Sequence, residues 1–168
     1  MEFLIRTIIN GKVYINGENI LHAMCRHGNL FFLSILAQSI NKNHRYLLNE
    51  YNREGRKCIH IAAVLHKGQV ATDIITILVN FGADINGRVL CTGDTVLHIA
   101  VYLKDYYLAK WLCRRGGINR NARNYAGLTP FQIAWKKNDH KMMMILWNNY
   151  AVCKSIRSSK KAPINYWM

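Results

Sequence analysis

Apolar residues recur along this chain in short stretches of helical length, separated by polar breaks that carry glycine. The stretches come in pairs. Gly55-Arg56-Lys57-Cys58-Ile59-His60-Ile61-Ala62-Ala63 opens on a glycine turn and runs into an apolar segment. After a short break a second run follows, Ile74-Ile75-Thr76-Ile77-Leu78-Val79-Asn80-Phe81, closed by Gly82-Ala83-Asp84-Ile85-Asn86. Runs of this length with a glycine just past the end predict two helices joined by a turn. Gly82 suits the left-handed residue that ends a helix, where a side chain would cost roughly 1 kcal/mol.

The same pair is written elsewhere in the chain. Gly17-Glu18-Asn19-Ile20-Leu21-His22-Ala23 precedes Leu30-Phe31-Phe32-Leu33-Ser34-Ile35-Leu36. Gly93-Asp94-Thr95-Val96-Leu97-His98-Ile99-Ala100 precedes Tyr106-Tyr107-Leu108-Ala109-Lys110-Trp111-Leu112, which closes with Gly116-Gly117-Ile118-Asn119. Gly127-Leu128-Thr129-Pro130-Phe131-Gln132-Ile133-Ala134 precedes Met142-Met143-Met144-Ile145-Leu146-Trp147. The apolar residue before His or Gln falls at 21, 59, 97 and 131, at intervals of 38, 38 and 34. One such motif is weak, but four at near-constant spacing signify stacked units that bury one another's apolar flanks. The fold expected is all-α, a solenoid of about four helix–turn–helix repeats over 17–51, 52–88, 89–123 and 124–151, with divergent terminal units. Segment 1–16 precedes the array and a basic tail, 152–168, follows it. Within the former, Ile8-Ile9-Asn10-Gly11-Lys12-Val13-Tyr14 fits a hairpin, or a degenerate piece packed on the first repeat.

Position by position, the units make chemical sense. Thr or Asn at the start of the first helix caps its free N–H groups, and Pro130 is tolerated in a first turn. Ala62, Ala63, Ala100 and Ala134 let neighbouring helices approach closely. His22, His60 and His98 recur once per repeat at one place. They are too far apart to share a metal, so each is read as structural, bonding backbone in the turns and linking repeats. The Met142–Met144 run, Trp111, Trp135 and Trp147 are read as packing. The first unit departs from the pattern: it lacks Gly-Ala-Asp and continues through Asn41-Lys42-Asn43-His44-Arg45-Tyr46-Leu47-Leu48.

Composition narrows the classes. Hydrophobic residues make up 51% of the 168 and charged ones 19%, ample for a core. No apolar run reaches the ~18–20 residues of a membrane span, and Arg6 breaks Phe3-Leu4-Ile5, so neither a membrane partner nor a secretory signal is expected. The five cysteines contain no CxxC pair and are read as buried free thiols in a reducing compartment. There are no paired carboxylates, nucleophile elbow or phosphate loop, so no catalytic residue, metal site or cofactor is expected. The net charge of +14 is uneven: residues 1–84 carry nine Lys/Arg against six Asp/Glu, and residues 85–168 carry fourteen against three. That imbalance implies an acidic partner or nucleic acid. The basic stretch Arg114–Arg123 and the tail Lys154–Lys161 keep nucleic acid open as the less favoured partner.

These residues resemble the ankyrin repeat, with its G-x-T-P-L-H-x-A-A opening and G-A-D-x-N close, over about residues 17–151. The resemblance implies a protein-binding array whose partners touch hairpin tips and the exposed side of first helices. Carried onto this chain, those positions are Arg53, Glu54 and Arg56, then Thr92, Asp94, Tyr102 and Leu103, then Tyr125, Leu128, Lys136 and Lys137. A narrower resemblance rests on Asn19-Ile20-Leu21-His22-Ala23 and on Asn124-Tyr125-Ala126-Gly127-Leu128-Thr129-Pro130-Phe131-Gln132-Ile133-Ala134. Those segments look like the I-kappa-B-like viral ankyrins of polydnaviruses carried by parasitoid wasps.

That family is implied to bind host NF-kappa-B (Rel) factors in the host cytoplasm, with nuclear entry open, and to dampen immunity. The chain has no serine before Ser34 and no acidic residue after 151, so the phosphorylation trigger and acidic tail of cellular inhibitors are not expected here. One feature runs against the resemblance. Rel localisation segments are basic, and only Glu18, Glu50 and Glu54 in the less charged half offer a counterpart. A general ankyrin adaptor and a basic nucleic-acid-binding array are the alternatives.

Overall fold

The computed structural model describes residues 17–39 and 42–148, without the side chains of residues 42 and 43. The proposed hairpin at 8–14, Cys153 and the basic tail lie outside the described residues. Four helix pairs follow one another: α1 (Ile20–His27) and α2 (Leu30–Ser39); α3 (Cys58–Leu65) and α4 (Gly68–Asn80); α5 (Val96–Tyr102) and α6 (Tyr106–Arg114); α7 (Pro130–Lys136) and α8 (His140–Asn148). First helices pack in one layer, α1 on α3 on α5 on α7, and second helices in another, α2 on α4 on α6 on α8. The layers close on each other within every pair. This is the ankyrin-repeat solenoid, all-helical among the described residues.

The two inner units explain why their first helices read as almost wholly apolar. Cys58 to Ala63 in α3 and Val96 to Val101 in α5 are all buried, including His60 and His98. A helix with neighbours on both sides and a second helix behind has no wet stripe in its first turns. Alanines at 62, 63, 100 and 134 are fully or almost fully buried, which lets the helix backbones approach. At the N-terminal edge, α1 buries only Leu21, His22 and Cys25 and is strongly amphipathic.

Caps fix where the helices start. Asn19 Oδ1 accepts the N–H groups of Leu21 and His22, both at 3.1 Å. Its amide nitrogen reaches Leu47 O at 2.9 Å and Glu50 at 3.0 Å, so one residue caps α1 and ties it to the following turn. In the second layer, Asp105 and Asp139 cap α6 and α8 through Leu108 and Met142, each at 3.0 Å.

The first unit solves its missing Gly-Ala-Asp in another way. Its connection forms a 3-10 helix, Lys42–Leu48, that buries Leu47 and Leu48. It ends on Asn49, whose amide donates to Gly82 O at 3.2 Å and accepts from Asp84 N at 3.0 Å. One repeat on, Asn86 makes the same pair of bonds, to Gly117 O at 2.8 Å and from Asn119 N at 2.7 Å. The asparagines that close the first and second units thus each grip the helix end of the next.

Four residues read from sequence as buried or packed need correction. Cys91 is exposed, because it lies in a hairpin and not on an inner helix face; Cys25, Cys58 and Cys113 are buried. Trp135 is 49% exposed. It stands three residues after Gln132, the register of Ala63 and Val101, which the next unit covers. No described unit covers Trp135, and Trp147 and Met144 beside the same end are also exposed. Trp111, Met142 and Met143 do pack into the core.

Candidate functional site

Three tight hairpins link successive units and set the geometry of one face. In two of them an asparagine shapes the tip: Asn52 Oδ1 accepts Glu54 N and Arg56 N at 3.0 and 2.9 Å, and Asn124 Oδ1 accepts Leu128 N at 3.0 Å. The middle hairpin has Val89 there and one residue more before its glycine. Its backbone still closes, Val89 N to Asp94 O at 2.8 Å. The hairpins also join each other, Leu90 N to Gly55 O at 2.8 Å and Tyr125 N to Thr92 O at 2.9 Å. They form a continuous rim.

The histidine at each inner-helix start holds this rim to the helices. Nδ1 of His22, His60 and His98 accepts the N–H of Asn19, Lys57 and Thr95 at 3.2, 3.0 and 3.1 Å. With Nδ1 accepting, the proton sits on Nε2 and is donated to a carbonyl in the segment leading to the next unit. Those carbonyls are Glu50 O, Gly87 O and Leu128 O, at 3.2, 2.9 and 3.1 Å. In the last repeat Gln132 Oε1 accepts Thr129 N at 3.0 Å, the half of the job a glutamine can copy. Burial holds the His60 pKa down at about 4, the Gly87 carbonyl opposing, and burial lowers that of His98 too. The His60 and His98 rings stay neutral; at His22 burial is outweighed by Cys58 and the Glu50 carbonyl, which raise the pKa, and all three rings are structural. No group of three or more metal-ligating side chains occurs among the described residues. Gly82, with φ of +110°, turns the chain at the end of α4.

Of the positions inferred for a partner, Arg53, Glu54, Thr92, Tyr102, Leu103, Tyr125, Lys136 and Lys137 are exposed, and Arg56 is half-buried. Two are not open. Asp94 is buried and accepts Asn124 Nδ2 at 2.9 Å, joining the third and fourth hairpins, so it is a structural link. Leu128 is half-buried against the core. The rest fall into two groups. Around the second hairpin, Arg56 pairs with Glu54 at 2.7 Å, and Lys57 lies 5.3 Å from the Tyr51 ring centre. Around the third and fourth, one strip is continuous. Tyr125, 64% exposed, lies against Gly93; Asn124 touches the Tyr102 hydroxyl at 3.5 Å; and Lys137 sits 4.7 Å above the ring of Tyr102, itself 39% exposed.

Sequence reasoning missed Tyr51, Arg88 and Leu90, all exposed on the rim. The register carries the signal: Tyr51 and Arg123 each stand just before a hairpin asparagine, as Arg88 stands before Val89. Leu90 then matches Arg53 and Tyr125. The extra residue in the middle hairpin hides the alignment. The three glutamates considered for a basic partner segment are mostly spent. Glu18 is bound by Arg26 and Asn52, which hold its pKa below the usual carboxylate range, and Glu50 takes Asn19.

The strip gives one stability prediction. Gly93 has φ of +70°, and a Cβ there would lie 2.5 Å from the Tyr125 ring. Gly93→Ala is expected to cost about 1–2 kcal/mol in urea denaturation and to displace Tyr125. An unchanged midpoint would refute this account of the hairpin.

A surface of aromatic rings and cations on a repeat scaffold fits protein recognition. The ankyrin-repeat family, in three copies, matches residues 45–124. The chain is 85% identical over 124 residues to I-Kappa-B like protein N1 of Microplitis demolitor bracovirus (isolate Webb), covering 74% of this chain and 89% of that protein. It belongs to the I-kappa-B-like ankyrin proteins. I-Kappa-B like proteins C2 and I1 of the same virus are 42% and 38% identical to it, covering 82% and 87% of this chain and 75% and 87% of their own lengths. As an I-kappa-B-like protein it is a non-catalytic protein-binding module.

Proposed function

We propose that this I-kappa-B-like protein binds host NF-kappa-B (Rel) factors and holds them inactive, suppressing the host immune response. The observation that carries the reading is the exposed strip Tyr125–Tyr102–Lys137 in a chain 85% identical to an I-kappa-B-like protein. Tyrosine presents a large rigid contact area at small entropic cost, and clustered aromatics with nearby cations are typical of binding hot spots. The host cytoplasm is the compartment proposed, where the four described free thiols stay reduced.

Purified full chain titrated calorimetrically with a Rel homology domain is expected to show saturable binding. The double variant Tyr102→Ala/Tyr125→Ala is expected to weaken it by about tenfold or more. Absence of saturable binding across a series of Rel domains would sink the reading.

A further inference from the structure

We infer that the hairpin and inner-helix face of the third and fourth repeats is a docking site for an acidic, extended segment of the partner protein. This deepens the protein-binding reading above and rests on it. The starting point is where the carboxylates are. Residues 85–168 hold three acidic side chains, Asp94, Asp105 and Asp139, and all are buried, at 9%, 6% and 9% exposure. Each is used inside: Asp94 takes Asn124; Asp105 caps α6 and accepts Gly68 N at 2.8 Å; Asp139 caps α8 and takes the Tyr106 hydroxyl at 3.3 Å. Every exposed charge this half presents among the described residues is therefore positive.

The cations on the rim are also held in place. Arg88 bonds the Arg123 carbonyl at 2.6 Å, and Arg123 bonds the Gly127 carbonyl at 2.6 Å. Guanidinium groups pinned to backbone lose less freedom when a carboxylate arrives. Lys137 is seated over Tyr102 and 3.5 Å from its carbonyl. Leu90, two residues after Arg88, and Leu103, next to Tyr102, are also exposed. A segment carrying both carboxylates and apolar residues would cover both kinds of group.

Single-stranded nucleic acid fits less well. A stacking platform needs open ring faces. Here Lys137 covers one face of Tyr102, which leaves Tyr125, 64% exposed, as a single open ring where a strand would stack on several in succession. The described N-terminal half presents a mixed field: Arg56 and Arg26 are paired with Glu54 and Glu18, and exposed Arg45, Arg53 and Lys67 share the surface with exposed Asp84 and half-buried Asp73.

The test uses the full chain and a fluorescein-labelled peptide of about twelve residues, half Glu and the rest Leu and Ser, read by anisotropy. Saturable binding is expected, weakened by about tenfold in Lys136→Glu/Lys137→Glu and unchanged in Lys67→Ala, an exposed lysine between α3 and α4 away from the hairpins. The same peptide with Gln for every Glu is expected to bind at least about tenfold more weakly. Equal binding of the two peptides, or insensitivity to the lysine reversals, overturns the inference. So does tighter binding of a twelve-nucleotide oligothymidine that is lost in the same variant, which would make the face a nucleic-acid site. Peptide binding without Rel binding removes only the Rel assignment; Rel binding without peptide binding removes only this one.

Discussion

Replacing His60 with alanine is expected to cost about 3–4 kcal/mol and to weaken the cooperative link between the second and third repeats. The ring is fully buried and serves both of its nitrogens, one to Lys57 N and one to Gly87 O. Its loss leaves a carbonyl and an N–H without partners, at about 1–3 kcal/mol for the unsatisfied groups, and a cavity adds to that. A whole domain has only about 5–15 kcal/mol in hand. Because stability in a repeat array is the sum of unit and interface terms, a weak interface broadens or splits the transition. Urea melts followed by circular dichroism would show a lower midpoint and a shallower slope. His60→Gln is expected to lose only about 1 kcal/mol, since Gln132 shows that glutamine can accept the cap N–H at this register. Equal midpoints for His60→Ala and the parent chain would refute the linking role given to these rings.

The repeated core was legible in the sequence because its physics is local. Inner-helix burial follows from apolar runs, and the histidine register follows from a spacing that places one ring at each helix start. Helix ends were legible where glycine or proline marks them, as at Gly82, whose φ is +110°, and at Pro130. The first repeat's closure was not. Asn49 follows its 3-10 helix, and no local residue signals that this asparagine takes the place of Asn86. Exposure at the array's end also escaped, because Trp135 is as apolar as the residues that neighbours cover.

The binding face was legible only in part. Hairpin and inner-helix positions follow from register, but which carboxylates are free does not. Asp94 looks like a surface contact in the sequence, yet the hairpin geometry turns it toward Asn124. The charge count suggested an acidic partner, and the structure sharpened this by placing all three carboxylates of the second half inside. A basic Rel segment meets little acid here. Tyrosine contact and cation-rich docking account for a +14 array without asking three glutamates to carry the interface.

The protein is expected to lose stability on mild acidification, before its carboxylates titrate. His60 has its pKa held down near 4 in the folded chain, against an ordinary value of 6.5. Between those values the unfolded chain takes up a proton that the folded chain refuses, so stability falls as the pH drops. The contribution is fully present above about pH 6.5 and exhausted below about pH 4, because both states are then protonated. Over that window one such group costs roughly 3 kcal/mol; His98, also lowered by burial, pulls in the same direction, and His22, raised by Cys58 and the Glu50 carbonyl against its burial, opposes them. Glu18, bound by Arg26, acts only below its ordinary 4.5, so the upper part of the window belongs to the imidazoles. Denaturant midpoints measured from about pH 7.5 to 4.5 should fall in the parent chain and fall less in His60→Gln, which cannot titrate. The difference isolates His60, whatever the remaining cations contribute through self-repulsion. Parallel curves for the two proteins would mean that the imidazole is protonated inside the fold, and a ring that gives its Nδ1 lone pair to Lys57 N cannot be.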